Sequence, residues 1–202
     1  HWSRNFRTNQ RSDHGQLNYM PAFDHFDLIA PIYSRVTYSK TEVMREVASL
    51  RVRGRLLDVG GGTGRVASAI RGMVDDVTIA DVSFGMLKEA PRSDLRPVCG
   101  YSESLPFADE SFERVIMVDA LHHVVDHADS AREMFRVLKP GGVLVIEEPD
   151  IRTFGVKLIA IAEKLLLMRS HFLAPDQIVK LFETGETNVK SADGTAWVVV
   201  KK

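Results

Sequence analysis

Five consecutive residues, Gly60 to Gly64, include four glycines and are the part of the chain that most clearly indicates ligand binding. They follow a short apolar run, Arg55–Val59, and precede a helical pattern, Arg65–Arg71. Glycine lets a strand-to-helix turn bend sharply and lets backbone N–H groups approach a ligand closely. Four glycines at such a turn therefore predict a ligand-binding loop rather than a plain connection.

The spacing of these glycines argues against two common nucleotide-binding loops. A dinucleotide fingerprint needs G-x-G-x-x-G, whereas Gly60, Gly62 and Gly64 give G-x-G-x-G. A phosphate-binding Walker loop ends in Gly-Lys-Ser/Thr, whereas Gly64 is followed by Arg65. An NAD-linked oxidoreductase therefore stays only as a less favoured alternative.

An acidic residue, Asp81, ends the second predicted strand, Val77–Asp81, roughly twenty residues after the glycine loop. A carboxylate at this place can accept hydrogen bonds from both hydroxyls of a ribose. The glycine loop and Asp81 together predict a ligand that contains adenosine.

Residues that could act on a bound substrate follow the fourth predicted strand, Arg114–Val118. His122 and His123 come soon after it, and the pKa of histidine suits a general base. Asp119 is as suited to contact a cofactor as to act as a base. No set of side chains has the spacing of metal ligands on one face, so no metal site is expected. Cys99 is expected to be a buried packing residue rather than a nucleophile.

These candidates lie at the ends of short predicted strands that alternate with helices. The strands are Arg55–Val59, Val77–Asp81, Leu95–Cys99, Arg114–Val118 and Val143–Glu147. Ser83 is expected to cap one helix, and another carries Ala131 to Leu138 and ends at Lys139–Gly142. The alternation implies right-handed crossovers and a parallel sheet covered on both faces.

The two ends of the chain have different compositions. Residues 1–16 are polar, which predicts a mobile arm rather than a secretory signal, whereas 17–38 are rich in aromatic residues and are expected to dock on the body. Ser39 and Glu42 have the spacing of a capping box at a helix start. The apolar stretch Phe154–Arg169 predicts either core or a lid over a hydrophobic acceptor.

The last residues predict a helix opened by Pro175 and a hairpin over Thr187–Lys202 that turns at Asp193–Gly194. The expected organisation is the arm (1–16) followed by one domain (17–202). Within that domain we expect a substrate-side segment (17–53), a cofactor-binding core (54–149), and a lid-like helix with the terminal hairpin (150–202).

Composition limits the possible classes of protein. With 202 residues, 45% hydrophobic and 26% charged, the chain is typical of one globular domain. A net charge of −1 gives no excess of cations for nucleic acid, so no nucleic-acid partner is expected. A single cysteine favours a cytoplasmic location, and no apolar run approaches the roughly 18 residues of a membrane span.

Four motifs together resemble the class I S-adenosylmethionine-dependent methyltransferases. They are Asp58–Gly64, Asp81–Leu87, Gly100–Phe107 with Asp109, Ser111 and Phe112, and Leu138–Gly142. In order and spacing the resemblance covers roughly residues 23 to 149, and it is strongest to the subgroup that includes ubiquinone and menaquinone C-methyltransferases.

The resemblance implies a Rossmann-like fold with three layers, α/β/α. Its mostly parallel sheet would have seven strands, the last of which, Ala196–Lys201, would insert antiparallel. It implies S-adenosyl-L-methionine as cofactor and S-adenosyl-L-homocysteine as product. The methyl acceptor would be a small molecule, and the subgroup suggests a hydrophobic or quinone-like one.

The resemblance also implies roles for individual residues. The loop Gly60–Gly64 with Thr63 would hold the methionine portion of the cofactor, and Asp81 would bind the ribose. Asp58 would be a further cofactor-binding residue. Met86 would pack on the adenine, whose edge Tyr101 and Ser102 would reach. Val118 and Asp119 would border the methionine portion and the reacting methyl.

Two departures from the family pattern leave an alternative open. Tyr101 stands where many relatives carry Asp or Asn, and the substrate-side region before the last hairpin is short. A catalytically silent relative that only binds S-adenosyl compounds would have the same motifs. A nucleic-acid methyltransferase is disfavoured because Asp119–His122 stands where such enzymes carry an Asn/Asp-Pro-Pro-Tyr motif.

Overall fold

A computed structural model describes residues 39–165 and 170–202. The expectations for the arm (1–16) and the aromatic segment (17–38) therefore lie outside the described residues, as do the last four residues of the apolar stretch. Among the described residues, no helix has both the length and the apolar character needed to cross a membrane.

Helices and strands alternate along the described chain much as the sequence predicts. The helices are α1 (Thr41–Val47), α2 (Arg65–Ile70), α3 (Phe84–Glu89), α4 (His127–Val137), α5 (Phe154–Leu165) and α6 (Pro175–Val179). The strands are β1 (Arg55–Val59), β2 (Asp76–Asp81), β3 (Leu95–Cys99), β4 (Phe112–Val118), β5 (Leu138–Pro149), β6 (Glu186–Ala192) and β7 (Thr195–Lys201).

The described strands form one seven-stranded sheet in the order β3-β2-β1-β4-β5-β7-β6. The first five strands run parallel, and β7 pairs antiparallel with both β5 and β6. This confirms the Rossmann-like arrangement with an inserted antiparallel last strand. The strand order reverses between β1 and β4, and ligands of such sheets bind at the carboxyl ends of the strands beside that point.

Two apolar clusters cover the two faces of the sheet. Neighbouring residues of one strand enter opposite clusters, because side chains of a strand alternate between faces. Leu56 packs with α1, α2 and Trp197, whereas Leu57 packs with α4 and Phe182. Consecutive side chains at the end of a strand therefore point to opposite sides, which matters for the two glutamates that end β5.

Two local predictions at helix ends are wrong. Lys40 rather than Ser39 precedes α1, no side chain caps that helix, and Glu42 pairs with Arg45 instead. The fourth helix ends at Val137, and Leu138 begins β5, because it pairs with Phe112 across an irregularity in the ladder. Helical spacing alone does not separate a last helical residue from a first strand residue.

The hairpin turn and the Ser83 cap are confirmed. Asp193 and Gly194 have φ angles of 50° and 74°, which suit a tight turn between twisted strands. The Ser83 hydroxyl accepts a hydrogen bond from the Met86 N–H at 3.1 Å. The predicted helix opened by Pro175 is present and ends at Val179.

Part of the apolar stretch forms α5, and several of its described apolar side chains are exposed. Phe154, Leu158 and Ile161 are 77%, 52% and 57% exposed, whereas Val156 is buried. The lid over a hydrophobic acceptor stays a prediction.

Candidate functional site

A cavity of about 380 Å³ opens at the carboxyl ends of β1, β2 and β4. Every residue that the sequence predicts for the site lines it except Gly64; these residues are Asp58, Gly60, Gly62, Thr63, Asp81, Met86, Tyr101, Ser102, Val118, Asp119, His122 and His123. Gly64 lies just outside, where it precedes α2 with a φ of 75°. An added Cβ there would come 2.9 Å from Ile79 Cδ1, so this glycine lets α2 pack on β2.

The glycine loop forms one wall of this cavity. Gly62 has a φ of 53°, a conformation that L side chains rarely adopt. The Gly62 N–H thereby donates to Asp81 Oδ2 at 2.8 Å. The loop and the end of β2 are thus held together by one carboxylate.

The Asp81 carboxylate is fixed on both of its oxygens. Oδ1 accepts a hydrogen bond from the Ser83 N–H at 2.8 Å, opposite the bond from Gly62. A carboxylate oxygen has two lone pairs and can accept more than one hydrogen bond. The side chain is half-buried and lines the cavity. Its fixed position suits a pair of neighbouring hydroxyls.

Asp58 lies beneath the loop and is almost completely buried. An added Cβ on Gly61 would come 2.8 Å from Asp58 Oδ2, so only glycine leaves room for this carboxylate. Burial, and then the charge of Asp81, raise the pKa of Asp58 to about 7. Oδ2 has no hydrogen-bond partner among the described residues. A buried acceptor of this kind is suited to a donor, above all a cationic one, brought by a ligand.

The far side of the cavity combines an apolar and a polar part. Met86 is buried against the loop, and Tyr101 is 44% exposed at the rim. Ser102 Oγ lies 2.9 Å from Ser130 Oγ and 3.0 Å from Glu103 Oε2. Glu103 in turn accepts the Val125 N–H at 3.0 Å, so it fixes the segment before α4.

The end of β4 has a strained backbone. Asp119 has a φ of 51°, in the left-handed region that residues other than glycine rarely adopt, although Asn and Asp tolerate it better than the others. Its Oδ2 lies 3.2 Å from Arg65 Nη2, so an ion pair joins β4 to the start of α2. Val118, the last residue of β4, is buried at the cavity wall.

The two predicted histidines differ in their surroundings. His122 is buried and its Nδ1 lies 2.5 Å from Glu148 Oε2. His123 Nδ1 lies 3.4 Å from Ser170 Oγ. Burial, and then the neighbouring His122, lower the pKa of His123 to about 3, so this ring is neutral near pH 7. His127, the next histidine along the chain, contacts the His171 ring instead.

Sequence reasoning missed Arg65, Glu103 and Phe172, which line this cavity, and Glu148, which contacts the lining residue His122. A signal for Glu148 was present, because two glutamates end the buried strand β5 at the edge where all the parallel strands end. Phe172 could not be found, because it comes from a segment about fifty residues beyond His122 with no motif around it. Its ring stacks on His122 with centroids 4.3 Å apart.

One expectation for a side chain outside the site is wrong. Cys99 is exposed rather than buried. It ends β3, at the edge of the sheet, and its Sγ lies 3.5 Å from the Val82 carbonyl oxygen. An edge strand is covered by a neighbour on one side only, which explains the exposure.

Comparisons with known proteins agree with this geometry. The family model described as a methyltransferase domain matches residues 57–146. The chain is 38% identical over 126 residues to a demethylmenaquinone methyltransferase of Mycolicibacterium vanbaalenii, over 62% of this chain and 54% of that protein. It is 30% identical over 167 residues to a ubiquinone/menaquinone biosynthesis C-methyltransferase of Shewanella sediminis, over 69% of this chain and 66% of that protein.

A solved structure shares the fold at low identity. An S-adenosylmethionine-dependent methyltransferase of Thermotoga maritima, described as a possible histamine N-methyltransferase, superposes with a TM-score of 0.70 at 20% identity. The alignment covers 88% of this chain and 97% of that one. This chain spans about half the length of the demethylmenaquinone methyltransferases that it matches.

The matched region, 57–146, contains the glycine loop, Asp81 and the end of β4, which are the parts that build the cavity. The family match and the geometry of the cavity imply S-adenosylmethionine as the cofactor of this site. The chain is similar to the class I S-adenosylmethionine-dependent methyltransferases, and among them to the ubiquinone and menaquinone methyltransferases.

Proposed function

We propose that the protein transfers a methyl group from S-adenosylmethionine to a small-molecule acceptor. The observation that carries this proposal is the buried Asp58 carboxylate, whose Oδ2 has no partner among the described residues and which lies beneath the glycine loop and beside Asp81. The cofactor brings an ammonium group and a pair of ribose hydroxyls. A buried acceptor next to a fixed carboxylate fits both.

We propose that different residues along the cavity bind the three parts of the cofactor. Asp58, Gly60, Gly62 and Thr63 would hold the methionine portion, with Val118 and Asp119 across from them. Asp81 would accept the ribose hydroxyls. Met86, Tyr101 and Ser102 would enclose the adenine. Gly64 keeps a structural role in this proposal, since it packs α2 on the sheet.

The chemistry asked of the chain is mainly alignment. The sulfonium of the bound cofactor supplies an activated methyl group, so the protein has to orient the acceptor and exclude water. Val118 and Asp119 at the end of β4 and the turn that carries His122 and His123 lie where an acceptor would meet the methyl. Both histidines are candidates for taking up a proton.

We propose that the acceptor is hydrophobic or quinone-like. Phe172 and Val125 present apolar surface to the cavity, and Val125 is 73% exposed. The exposed apolar face of α5 follows β5 and continues this character. Two relatives carry names that refer to quinone methylation, which supports the same class.

The organisation expected from the sequence remains part of the proposal. Residues 54–149 would be the cofactor-binding core, while 17–53 and 150–202 would include the substrate side. A sequence with the single cysteine Cys99 is compatible with a reducing compartment, and we propose a cytoplasmic location. A silent relative that binds the cofactor without turnover is the second candidate, favoured by Tyr101 at the rim.

Calorimetry and a turnover assay test the proposal in sequence. We expect saturable binding of S-adenosylhomocysteine at micromolar strength, followed by methylation of a reduced demethylmenaquinone with one prenyl unit. Tight binding with no methylated product from hydroxyl, amine or thiol acceptors would identify a silent relative. Absence of binding to the folded chain would contradict the proposal.

A further inference from the structure

We propose that His122 and Glu148 form a dyad that takes the proton from an acceptor bearing a phenolic or enolic hydroxyl. This inference rests on the proposed function and adds the class of acceptor and the route of the proton. It also separates the two histidines: His122 is the catalytic residue and Glu148 is a positioning residue.

The contact between the two side chains is short and buried. His122 Nδ1 lies 2.5 Å from Glu148 Oε2, and both side chains are about 5% exposed. Glu148 Oε1 accepts the N–H groups of Ala120 at 2.9 Å and of Leu121 at 2.7 Å. One carboxylate therefore binds both the imidazole and the backbone of the turn that carries it.

The imidazole ring is also held from its face and through its own backbone. Phe172 stacks on it with centroids 4.3 Å apart and planes 10° apart. The His171 N–H donates to the His122 carbonyl oxygen at 2.7 Å. His122 nevertheless lines the same cavity as Val118 and Asp119. A ring that is fixed on several sides and still reaches the cavity is oriented for one task.

The tautomer follows from the carboxylate. When Nδ1 carries the proton and donates it to Glu148, Nε2 holds the lone pair that can accept a proton from a ligand. The charge of Glu148 then stabilises the imidazolium that forms, as a carboxylate does beside a histidine base. Glu148 Oε1 accepts two backbone N–H groups, and these bonds fix the orientation of the carboxylate toward His122.

His123 is a poorer base although it lines the same cavity. Its pKa is lowered to about 3 by burial and by the neighbouring His122, so it releases a proton too readily to accept one near pH 7. Other ionisable groups around the dyad are few among the described residues. His127, at the start of α4, faces the Glu148 carboxylate, and its ring contacts that of His171 with centroids 5.2 Å apart.

The class of acceptor follows from what a base can contribute. A phenol has a pKa near 10, so it is protonated at neutral pH and gains most from a base, whereas a thiol ionises more easily on its own. In the proposed step the hydroxyl proton passes to His122 Nε2. The oxygen, or the ring carbon that it activates, forms a bond to the methyl carbon. When the ring carbon is methylated, it then loses its own hydrogen as a proton to solvent, and the ring oxygen takes up a proton to restore the hydroxyl. The methyl–sulfur bond breaks, and its electron pair stays on sulfur.

Steady-state kinetics on the full chain test the dyad, with the one-prenyl demethylmenaquinol and catechol as acceptor probes. His122→Asn keeps a donor near Glu148 but removes the base. We expect kcat to fall about 100-fold or more near pH 7, with KM for the cofactor changed less than about threefold. The residual rate should rise with pH, because the probe hydroxyl then ionises without help. Glu148→Gln should lower kcat about tenfold and displace the pH profile.

Glu147→Gln is the matched control. Glu147 precedes Glu148 on β5 and is also buried, but it points to the opposite face, where it accepts the Trp197 Nε1–H at 2.7 Å. We expect this variant to unfold at lower temperature while its pH profile stays that of the wild type. Thermal unfolding of all variants shows which of them are folded.

The outcomes separate the dyad from the proposed function. No binding of S-adenosylhomocysteine by the wild type overturns the proposed function and the dyad with it. Binding without methylation of either hydroxyl probe overturns the dyad alone. The dyad is also overturned if folded His122→Asn keeps the wild-type kcat, or if its pH profile changes no more than that of Glu147→Gln.

Discussion

The two sides of the cavity are built by different means. On the cofactor side, short local segments fix a backbone: Gly62 donates to Asp81, and Gly61 leaves room for Asp58. On the acceptor side, side chains from three distant segments meet, namely His122, Glu148 and Phe172. The difference teaches that a common cofactor can be bound by a compact motif, whereas an acceptor is recognised by residues that only the fold brings together.

The largest expected effect lies on the cofactor side. Asp81→Ala removes the acceptor for the ribose hydroxyls and leaves the Gly62 and Ser83 N–H groups without their carboxylate. Loss of charge-assisted hydrogen bonds worth about 3 kcal/mol corresponds to about 100-fold weaker binding of S-adenosylhomocysteine. Calorimetry measures this. Asp81→Asn, which keeps one acceptor oxygen, should lose less. Equal affinity of Asp81→Ala and wild type would contradict the proposed clamp.

Asp58→Asn tests the buried acceptor on the same side. The pKa of this acid rises from 3.8 to about 7 in the folded chain. Between about pH 4 and 7 the folded chain therefore binds more protons than the unfolded one, so the free energy of unfolding falls as pH rises through this window. The cost on ionisation is on the order of 4 kcal/mol.

We accordingly expect Asp58→Asn to lose less stability than wild type when the pH is raised from about 5 to about 8. It should also bind S-adenosylhomocysteine about tenfold more weakly, because one charge-assisted hydrogen bond to the ligand ammonium is lost. Wild-type affinity should strengthen as pH rises through about 7, and affinity of the variant should not. Urea unfolding and calorimetry at both pH values measure these changes. Parallel pH profiles would contradict the role of Asp58.

A smaller effect is expected at Asp119, where the two sides meet. Its φ of 51° is strained for a residue with a side chain, and glycine would relieve up to about 1 kcal/mol. The partly exposed ion pair with Arg65 contributes less than about 1 kcal/mol. Stability to urea should therefore decrease in the order Asp119→Gly, Asp119→Asn, Asp119→Ala. If the glycine variant is less stable than the alanine variant, the positive φ at position 119 does not strain the backbone.

The smallest expected effect is that of Tyr101→Phe. The ring is 44% exposed at the rim of the cavity, where it can stack on the adenine without its hydroxyl. We expect the affinity for S-adenosylhomocysteine to change less than about threefold, since the stacking surface stays. Tyr101→Ala should weaken binding more. If the phenylalanine variant binds as weakly as the alanine variant, Tyr101 binds the adenine through its hydroxyl rather than through stacking of its ring.

The sequence predicts the cofactor side of the cavity better than the acceptor side. β1 has the bounds that the sequence predicts, since a buried parallel strand is a short apolar run bordered by polar and glycine residues. β3 also has its predicted bounds, although it lies at the edge of the sheet. The Gly loop and Asp81 were predicted because their chemistry is local. Glu148 and Phe172 were missed because their role depends on contacts between segments that are far apart in the sequence. Leu138 has the spacing of a helical residue, but its pairing with β4 places it in a strand.

A crystal structure of the chain with S-adenosylhomocysteine bound would show whether the cavity binds the cofactor in the proposed orientation. We expect the ribose hydroxyls at roughly 3 Å from the Asp81 carboxylate and the ammonium at a similar distance from Asp58. The sulfur would face the space between Asp119 and His122. Density for the ligand away from the glycine loop, or a sulfur turned away from His122, would contradict it.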